Sequence, residues 1–370
     1  MISIVPCTDY SPEACEQALK DALAPIGGLE WIKPGMTVGI KANLITMMKP
    51  DSAATTHPAL LCALVKLIGA RGATAVVGDS PGGPFGRAYL ARVYSVTGLR
   101  AVEAFGGRLN DDFSEKSAEF PAAVKLKTFK YTAWVDSCDE IINFAKLKTH
   151  GMMGMTAAVK NLFGLIPGTR KPELHYVYPD ARDFADMLVD LNEFKKPRLN
   201  IVDAVVGMEG NGPSMGTPRK IGCLLAGANP YEVDMACAKI IGVTAADAPT
   251  LAAARDRKLA PEIPEIAGDI APFLISDFTL APRHDVLFFS GKVLGPLVSS
   301  LMQSKPALVK RDCIGCGKCG EVCPAAAIEM RKGFPVIDRK KCIRCFCCQE
   351  LCPKGAMIVH RPIGARILSR

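Results

Sequence analysis

Eight of the chain's 15 cysteines fall into two copies of one spacing, Cys313-x2-Cys316-x2-Cys319-x3-Cys323-Pro324 and Cys342-x2-Cys345-x2-Cys348-x3-Cys352-Pro353. Thiolates at these spacings wrap a cubane [4Fe–4S] core, and in the paired arrangement the fourth cysteine of each run ligates the other cluster. The spacing therefore assigns Cys313, Cys316, Cys319 and Cys352 to one cluster, and Cys342, Cys345, Cys348 and Cys323 to a second. Each trailing proline turns the chain away after the fourth ligand, and Gly315, Gly317 and Gly320 let backbone N–H groups approach the sulfurs. A zinc ribbon or a disulfide scaffold fits poorly, because a duplicated four-cysteine run with a following proline matches neither spacing. Cys347, wedged between two ligands, reads either as a spare thiol able to substitute as a ligand or as a small buried residue.

Residues 305–370 thus resemble a small α+β bacterial two-cluster ferredoxin. About 300 residues precede them, enough for a large α/β domain with a real core. The expected division is 1–282 for that domain, 283–304 for a connecting segment and 305–370 for the cluster module. Met1 to Pro6 lacks a basic, cleavable leader pattern. The apolar stretch Val286 to Met302 is broken by Gly291, Lys292, Gly295 and Pro296, so it reads as a docking segment and not as a transmembrane span. The remaining cysteines are scattered, as buried free thiols in a reducing cytosol would be, which points to a cytoplasmic protein. Charge is unevenly shared: of a formal net +8, residues 305–370 contribute 14 Lys/Arg against 5 Asp/Glu. Each oxidised cubane with its thiolates adds about −2, so the loaded module stays basic. That predicts an acidic electron donor such as a soluble ferredoxin or flavodoxin. No aromatic-interleaved basic stripe suggests nucleic acid.

Ahead of the module, strand-length apolar runs alternate with helix-period segments: Ile2–Val5, Ser11–Ala24, Thr37–Ile40, His57–Ala70 and Ala73–Val77. The alternation predicts an α/β fold, a largely parallel sheet with flanking helices. Further strands are expected at Ala122–Phe129, Glu140–Phe144, Leu199–Val202 and Ile221–Leu225, and further helices at Met155–Ile166, Ala181–Phe194 and Tyr231–Ile241. Residues 100–135 read as an insertion or flap, and Ala260 to Pro282 as an irregular passage toward the cluster module.

Loops that follow strands carry the sites of α/β folds, and five segments there hold chemistry. Lys41-Ala42-Asn43 and Thr55-Thr56-His57-Pro58 place a cation and a helix start where an anion could bind. Gly78-Asp79-Ser80-Pro81-Gly82-Gly83 could form a backbone nest, or only a tight turn. Lys146-Leu147-Lys148-Thr149-His150 leads to Lys160-Asn161 and on to His175, a dense run of lysine and histidine for a chain with five histidines. A desolvated lysine serves as nucleophile or base, and histidine as proton shuttle or metal ligand. Asp203 with Glu209 on a Gly-rich loop supplies an acid/base or a polar anchor, and Asp234 lies within a helix. For each, the plainer alternative is capping, pairing or a solvated side chain.

Taken together, Lys41-x-Asn43, Thr55-Thr56-His57-Pro58, Gly78-Asp79-Ser80, Lys146-x-Lys148-Thr149-His150, Lys160-Asn161-x-x-Gly164 and Met208-Glu209-Gly-x-Gly212-Pro213 resemble the family known as DUF362, whose reaction is unsettled and whose members often sit beside iron–sulfur modules. More distantly, the domain is similar to the nickel-pincer lactate racemase family, in which a histidine, a cofactor-holding lysine and a nickel-ligating histidine follow one another as His150, Lys160 and His175 do here. The racemase has a second large domain and no clusters, so this likeness implies a pocket among the three residues and does not extend to nickel.

The resulting expectation is an anaerobic iron–sulfur oxidoreductase that relays single electrons to a substrate or cofactor held in the first domain. Lys41, Asn43, Thr56, His57, Asp79, Ser80, Lys148 and Asn161 would bind that anionic molecule, and His150, Lys160, His175 and Glu209 would act on it. No flavin motif is present, leaving either a further, unidentified cofactor or direct cluster chemistry. Two rival readings are a non-catalytic electron-transfer or scaffold subunit, and a cofactor-dependent isomerase or lyase whose clusters only maintain the cofactor.

Overall fold

The computed structural model describes residues 1–244, 246–281, 304–360 and 362. They divide into two compact units, Met1–Lys171 with the described residues from Arg182 to Ala281, and Pro172–Ala181 with 304–360 and 362. The docking segment expected at 286–302 lies outside the described residues.

In the first unit the strands are β1 (Ile2–Pro6), β2 (Thr37–Lys41), β3 (Thr74–Gly78), β4 (Arg108–Leu109), β5 (Glu115–Glu119), β6 (Thr128–Thr132), β7 (Glu140–His150), β8 (Gly154–Thr156), β9 (Leu199–Glu209), β10 (Thr217–Gly227) and β11 (Ile266–Ala267). Nine of them form one sheet in the order β11-β1-β10-β9-β7-β2-β3-β4, with β8 hairpinned onto β7. The pairs β2–β3, β3–β4, β2–β7, β7–β9 and β1–β11 are parallel, whereas β9–β10 and β1–β10 are antiparallel. The sheet is therefore mostly parallel and mixed at one side. β5 and β6 make a separate antiparallel hairpin within the region read as an insertion.

Period-two alternation along β7 explains why both faces are covered. Ile142 and Phe144 join a core with α1 (Pro12–Leu23), α2 (Pro58–Gly69) and α3 (Arg87–Val96), to which Leu19, Leu61, Leu64 and Leu90 contribute. Ala145 and Leu147 face the other way, against Val233, Cys237 and Ile240 of α7 (Pro230–Ile240). Local signals fix the helix starts: Ser11 caps α1, and Asn229 caps α7 with Pro230 at its first position.

Two expectations need correction. The continuous helix expected over Met155–Ile166 is instead β8, a one-turn α4 (Ala158–Asn161) and a 3₁₀ turn over Leu162–Leu165. Backbone groups of 154–156 pair with β7, so a helix starts only at Ala158, where Asp234 accepts from the Ala158 and Val159 N–H groups at 2.7 and 3.2 Å. The strand expected over Ala122–Phe129 forms later, as β6, because the N–H groups of Val124, Lys125 and Leu126 bind the Asp190 carboxylate at 3.0, 2.7 and 2.9 Å. Beyond α4 the chain forms α5 (Lys171–Val177) and α6 (Ala181–Lys195). Among the described residues the scattered cysteines are free thiols, Cys7, Cys15, Cys62, Cys223 and Cys237 being buried.

The second unit contains two short antiparallel pairs, Lys305–Leu308 with Met357–His360 and Ile328–Arg331 with Phe334–Ile337. Each cysteine run ends in a one-turn helix, Lys318–Glu321 and Cys347–Glu350. The runs share a backbone conformation: Gly315 and Gly317 have φ of 66° and 74°, and Arg344 and Phe346 at the corresponding positions have 60° and 61°. The second copy therefore holds two side-chain-bearing residues in left-handed conformation, each costing roughly 1 kcal/mol.

Candidate functional site

The chain leaves β2 for β3 and β4 on one side, then returns to place β7 on the other side of β2. Strand order reverses there, and the crevice beyond the carboxyl ends of such strands is where open α/β sheets bind ligands. Lys41 ends β2, Asp79 follows β3, and Lys146, Lys148 and His150 occupy alternate positions at the end of β7. The sequence expectation of a loop after Phe144 is corrected by this extension: the three residues are strand residues that share one face, and all are buried.

One hydrogen-bonded network joins these elements. The Lys41 ammonium lies 2.9 Å from Asp79 Oδ1 and donates to Asn161 Oδ1 at 3.0 Å and to Ala42 O at 2.6 Å. Asn161 Oδ1 also accepts from Asn43 Nδ2 at 3.0 Å, and Asn43 Oδ1 accepts from Lys148 Nζ at 2.5 Å. Lys148 makes a second bond, to Ala54 O at 2.6 Å. Asn43 is held in place by Thr56, whose hydroxyl accepts from the Asn43 N–H at 2.9 Å and donates to Phe144 O at 2.8 Å. Asp79 Oδ2 accepts from Leu44 N at 2.8 Å, tying the β2 and β3 loops together. Gly164 lies directly over the ion pair: a Cβ there would stand 2.1 Å from Asp79 Oδ1 and 2.3 Å from Lys41 Cε.

The three buried lysines differ in compensation. Lys41 has Asp79, and Lys146 has Asp203 at 2.8 Å together with the Tyr10 hydroxyl at 2.8 Å. No carboxylate pairs with Lys148 among the described residues. Its burial, reinforced by the neighbouring cations Lys160, Lys146 and Lys41 against the opposing charge of Asp79, holds its ammonium well below the usual lysine range. Burial also lowers Lys41 and Lys146, against the opposing pull of Asp79 and Asp203. The buried hydroxyls of Thr55 and Ser80 have no hydrogen-bond partner among the described residues, an arrangement folded proteins seldom leave unexplained.

Several expected site residues take structural positions. His57 caps α2, its Nδ1 accepting from Ala59 N at 3.2 Å, and its ring stacks on Tyr10 at 3.6 Å; burial lowers its pKa to about 4. Glu209 is the last residue of β9, not a loop residue; it accepts from Thr279 N at 3.1 Å and so anchors the 279 segment. His150 Nδ1 accepts from the N–H groups of Met152 and Met153 at 3.1 and 3.2 Å, which places the neutral ring's proton on Nε2. Lys160 lies over the Phe163 ring at 5.7 Å and near enough to Lys148 to disfavour its charge. His175 falls on α5 within Pro172–Ala181, which groups with the second unit, so His150, Lys160 and His175 are not gathered in one unit. Among the described residues no three His, Cys, Asp or Glu side chains converge to hold a single metal ion. Sequence reading passed over Tyr10, whose hydroxyl donates to Asp203 and accepts from Lys146 and Val206 N. It passed over Asn143 too, which links Asn161 to Asn200 at 2.8 and 2.9 Å. Neither lies in a recognisable motif.

In the second unit one pocket is lined by Cys313, Cys316, Cys319 and Cys352, closed by Leu308, Met330, Ala356 and Met357. These are three cysteines of the first run and the last of the second. Cys342, Cys345, Cys348 and Cys323 form the other neighbourhood, close enough that each of Cys342 and Cys348 feels the charge of Cys345 and Cys323. Ala327 N donates to Cys323 Sγ at 3.2 Å. A cubane is gripped at its corners, so its ligand sulfurs surround a space instead of meeting at a point, and the pocket lined by Cys313, Cys316, Cys319 and Cys352 fits that requirement.

Residues 38–239 match the family described as domain of unknown function (DUF362), and residues 312–356 match the 4Fe-4S dicluster domain. A thylakoid-associated protein of Synechocystis sp. is 31% identical over 275 residues, covering 72% of this chain and 82% of that protein. Among solved structures, the lactate racemase apoprotein of Thermoanaerobacterium thermosaccharolyticum is similar at a TM-score of 0.41 and 12% identity, over 66% of this chain and 57% of the racemase. A protein from Thermotoga maritima is similar at 0.35 and 10%, over 55% and 52%. The chain spans less than two thirds of either solved protein. Among the described residues no helix is long and apolar enough to cross a membrane. With the carboxyl ends of β2 and β7 in the matched region and the cysteine runs beyond it, the chain belongs to the DUF362 family and carries a 4Fe-4S dicluster domain.

Proposed function

We propose that this protein is a cytoplasmic, ferredoxin-dependent oxidoreductase of anaerobic metabolism, whose two clusters pass single electrons to an anionic substrate or cofactor held at the carboxyl ends of β2 and β7. Cys313, Cys316, Cys319 and Cys352 hold one cluster and Cys342, Cys345, Cys348 and Cys323 the other. When bound, the clusters supply one-electron chemistry. The chain's own residues bind and orient the acceptor: Lys148 meets its negative charge, Asn43 and Asn161 fix the lysines, Ser80 and Thr55 offer hydroxyls, and His150 and Lys160 hold protons at its edge. Glu209 completes the polar shell.

The observation that supports this reading is Lys148, a buried lysine with no carboxylate partner among the described residues. Lys41 and Lys146 show that this sheet end neutralises its lysines where neutrality is wanted. A lysine left uncompensated costs several kcal/mol if charged, and an anionic ligand removes that cost. Fusion in one chain keeps the clusters at high local concentration around the acceptor site. The basic cluster module suits an acidic donor, and the free buried thiols suit a reducing compartment.

The test is anaerobic. Protein reduced with limiting dithionite is mixed with fractionated anionic metabolites, and reoxidation is followed by visible absorbance. A fraction should reoxidise the native protein and leave Lys148→Met reduced. Equal reoxidation of both would overturn the acceptor site and favour a non-catalytic electron-transfer subunit.

A further inference from the structure

The first cysteine run leaves one of its ligands at the surface. Ile314, Gly315 and Cys316 are all exposed, Ile314 to 60%, whereas Phe346, Cys347, Cys348 and Gln349 of the second run are buried. Gly315 fixes where this loop lies: it has a φ of 66° and packs so closely on the Lys332-Gly333 turn that a Cβ would stand 2.8 Å from Gly333 O. Cations surround Ile314. Lys318 and Lys354 line the same pocket as Ile314 and Cys316. Lys332 stands in the turn against Gly315, and Lys310 reaches over the ring of Phe334, the residue after that turn, at 5.7 Å. Lys318 is 3.2 Å from Glu321, but Lys310, Lys332 and Lys354 have no carboxylate partner among the described residues. Three unpaired lysines outweigh the roughly −2 of an oxidised cubane with its thiolates, so this face stays cationic when the pocket is filled.

We propose that Ile314 and the lysines around it form the docking face for an acidic ferredoxin, which meets the protein at the pocket of the first cluster and not at that of the second. This deepens the ferredoxin-dependent reading above and rests on it, together with the ligand assignment of the first cluster. An exposed apolar side chain inside a charged rim has the anatomy of a protein–protein contact: the centre contributes burial, and the rim steers and orients the partner. A negatively charged partner is drawn to this face, whereas a second copy of the chain would present the same positive charge and be repelled. An anionic membrane would meet the lysines but has no use for a cluster ligand at the surface. An electron carrier does, because electron transfer between proteins falls steeply with distance and Cys316 shortens it.

The experiment is a calorimetric titration of the anaerobic, full-length holoprotein with an acidic bacterial ferredoxin, with iron counted in each sample. Binding to the native protein should weaken steeply as salt rises from about 0.05 to 0.3 M. Ile314→Glu should weaken it by about tenfold or more with its iron intact. Lys332→Glu should weaken it and flatten the salt dependence, and Lys239→Glu, at an exposed lysine of the first unit, should change neither. Equal binding by native protein, Ile314→Glu and Lys332→Glu would overturn the docking face. So would a native protein that binds flavodoxin or anionic vesicles in place of ferredoxin. Where Ile314→Glu loses iron, Lys332→Glu decides. Reoxidation of dithionite-reduced protein by anionic metabolites needs no ferredoxin, and Ile314→Glu should reoxidise as the native protein does, so a failed acceptor site and a failed docking face are read separately.

Discussion

Replacing Lys148 with methionine tests the meaning of its missing carboxylate through the pH dependence of stability. In the unfolded chain this lysine titrates near 10.5, and in the native state burial and three neighbouring cations depress it well below that value. Between the depressed value and 10.5 the unfolded state binds more protons than the native state. Stability attributable to this group therefore rises with pH across that window, by at most about 1.4 kcal/mol per unit. Methionine has similar length and no proton, so the contribution vanishes. Both tryptophans, Trp31 and Trp134, lie in the first unit, so their fluorescence in urea reports that unit alone. Measured from pH 7 to 9.5, the stability difference between native protein and Lys148→Met should grow with pH in favour of the native protein. Lys41 and Lys146 titrate in both proteins and cancel. At neutral pH the substitution should be mild, because removing a desolvated amine offsets the two acceptors left on Asn43 and Ala54. Lys146→Met, which strands Asp203, should cost about 3–5 kcal/mol. A difference that does not change with pH would refute the claim that Lys148 is a desolvated lysine whose charged form is disfavoured in the native state.

Gly164→Ala should destabilise the first unit by about 3 kcal/mol or more in the same urea assay, because its Cβ would displace Asp79 from Lys41 and split a buried ion pair; an effect near zero would mean the 158–165 turn shifts freely. His57 titrates at about 4 when folded against 6.5 unfolded, so stability from its neutral form is complete above 6.5 and lost as pH falls toward 4. His57→Asn keeps a capping side chain without the titration and should show a shallower acid limb. Arg344→Gly relieves a left-handed residue and should stabilise the second unit by up to about 1 kcal/mol, read as slower cluster loss in denaturant.

The cluster module was legible because ligand spacing is local: a cubane dictates which residues recur and how far apart. The α/β order was legible from alternating apolar periods, and strands such as Thr37–Lys41 and helices such as Ala181–Lys195 lie where the pattern put them. The end of β7 was not. A Lys-x-Lys-x-His run reads as solvated loop, since burying such groups in a strand is costly unless distant residues compensate. The compensating group for Lys146 is 57 residues away, in Asp203, and no local window contains that fact. For the same reason Met155–Ile166 looked helical: its apolar stripe was real, but β7 claims the backbone of 154–156.

The most direct measurement combines iron and sulfide analysis with mass spectrometry of small molecules released from anaerobically purified native protein and Lys148→Met. The expected result is eight irons in both, with an anionic molecule released in near-stoichiometric amount from the native protein and lost from the variant. Eight irons with the same molecule retained equally by both would contradict an acceptor site built on Lys148, and a preparation without iron would contradict the redox role itself.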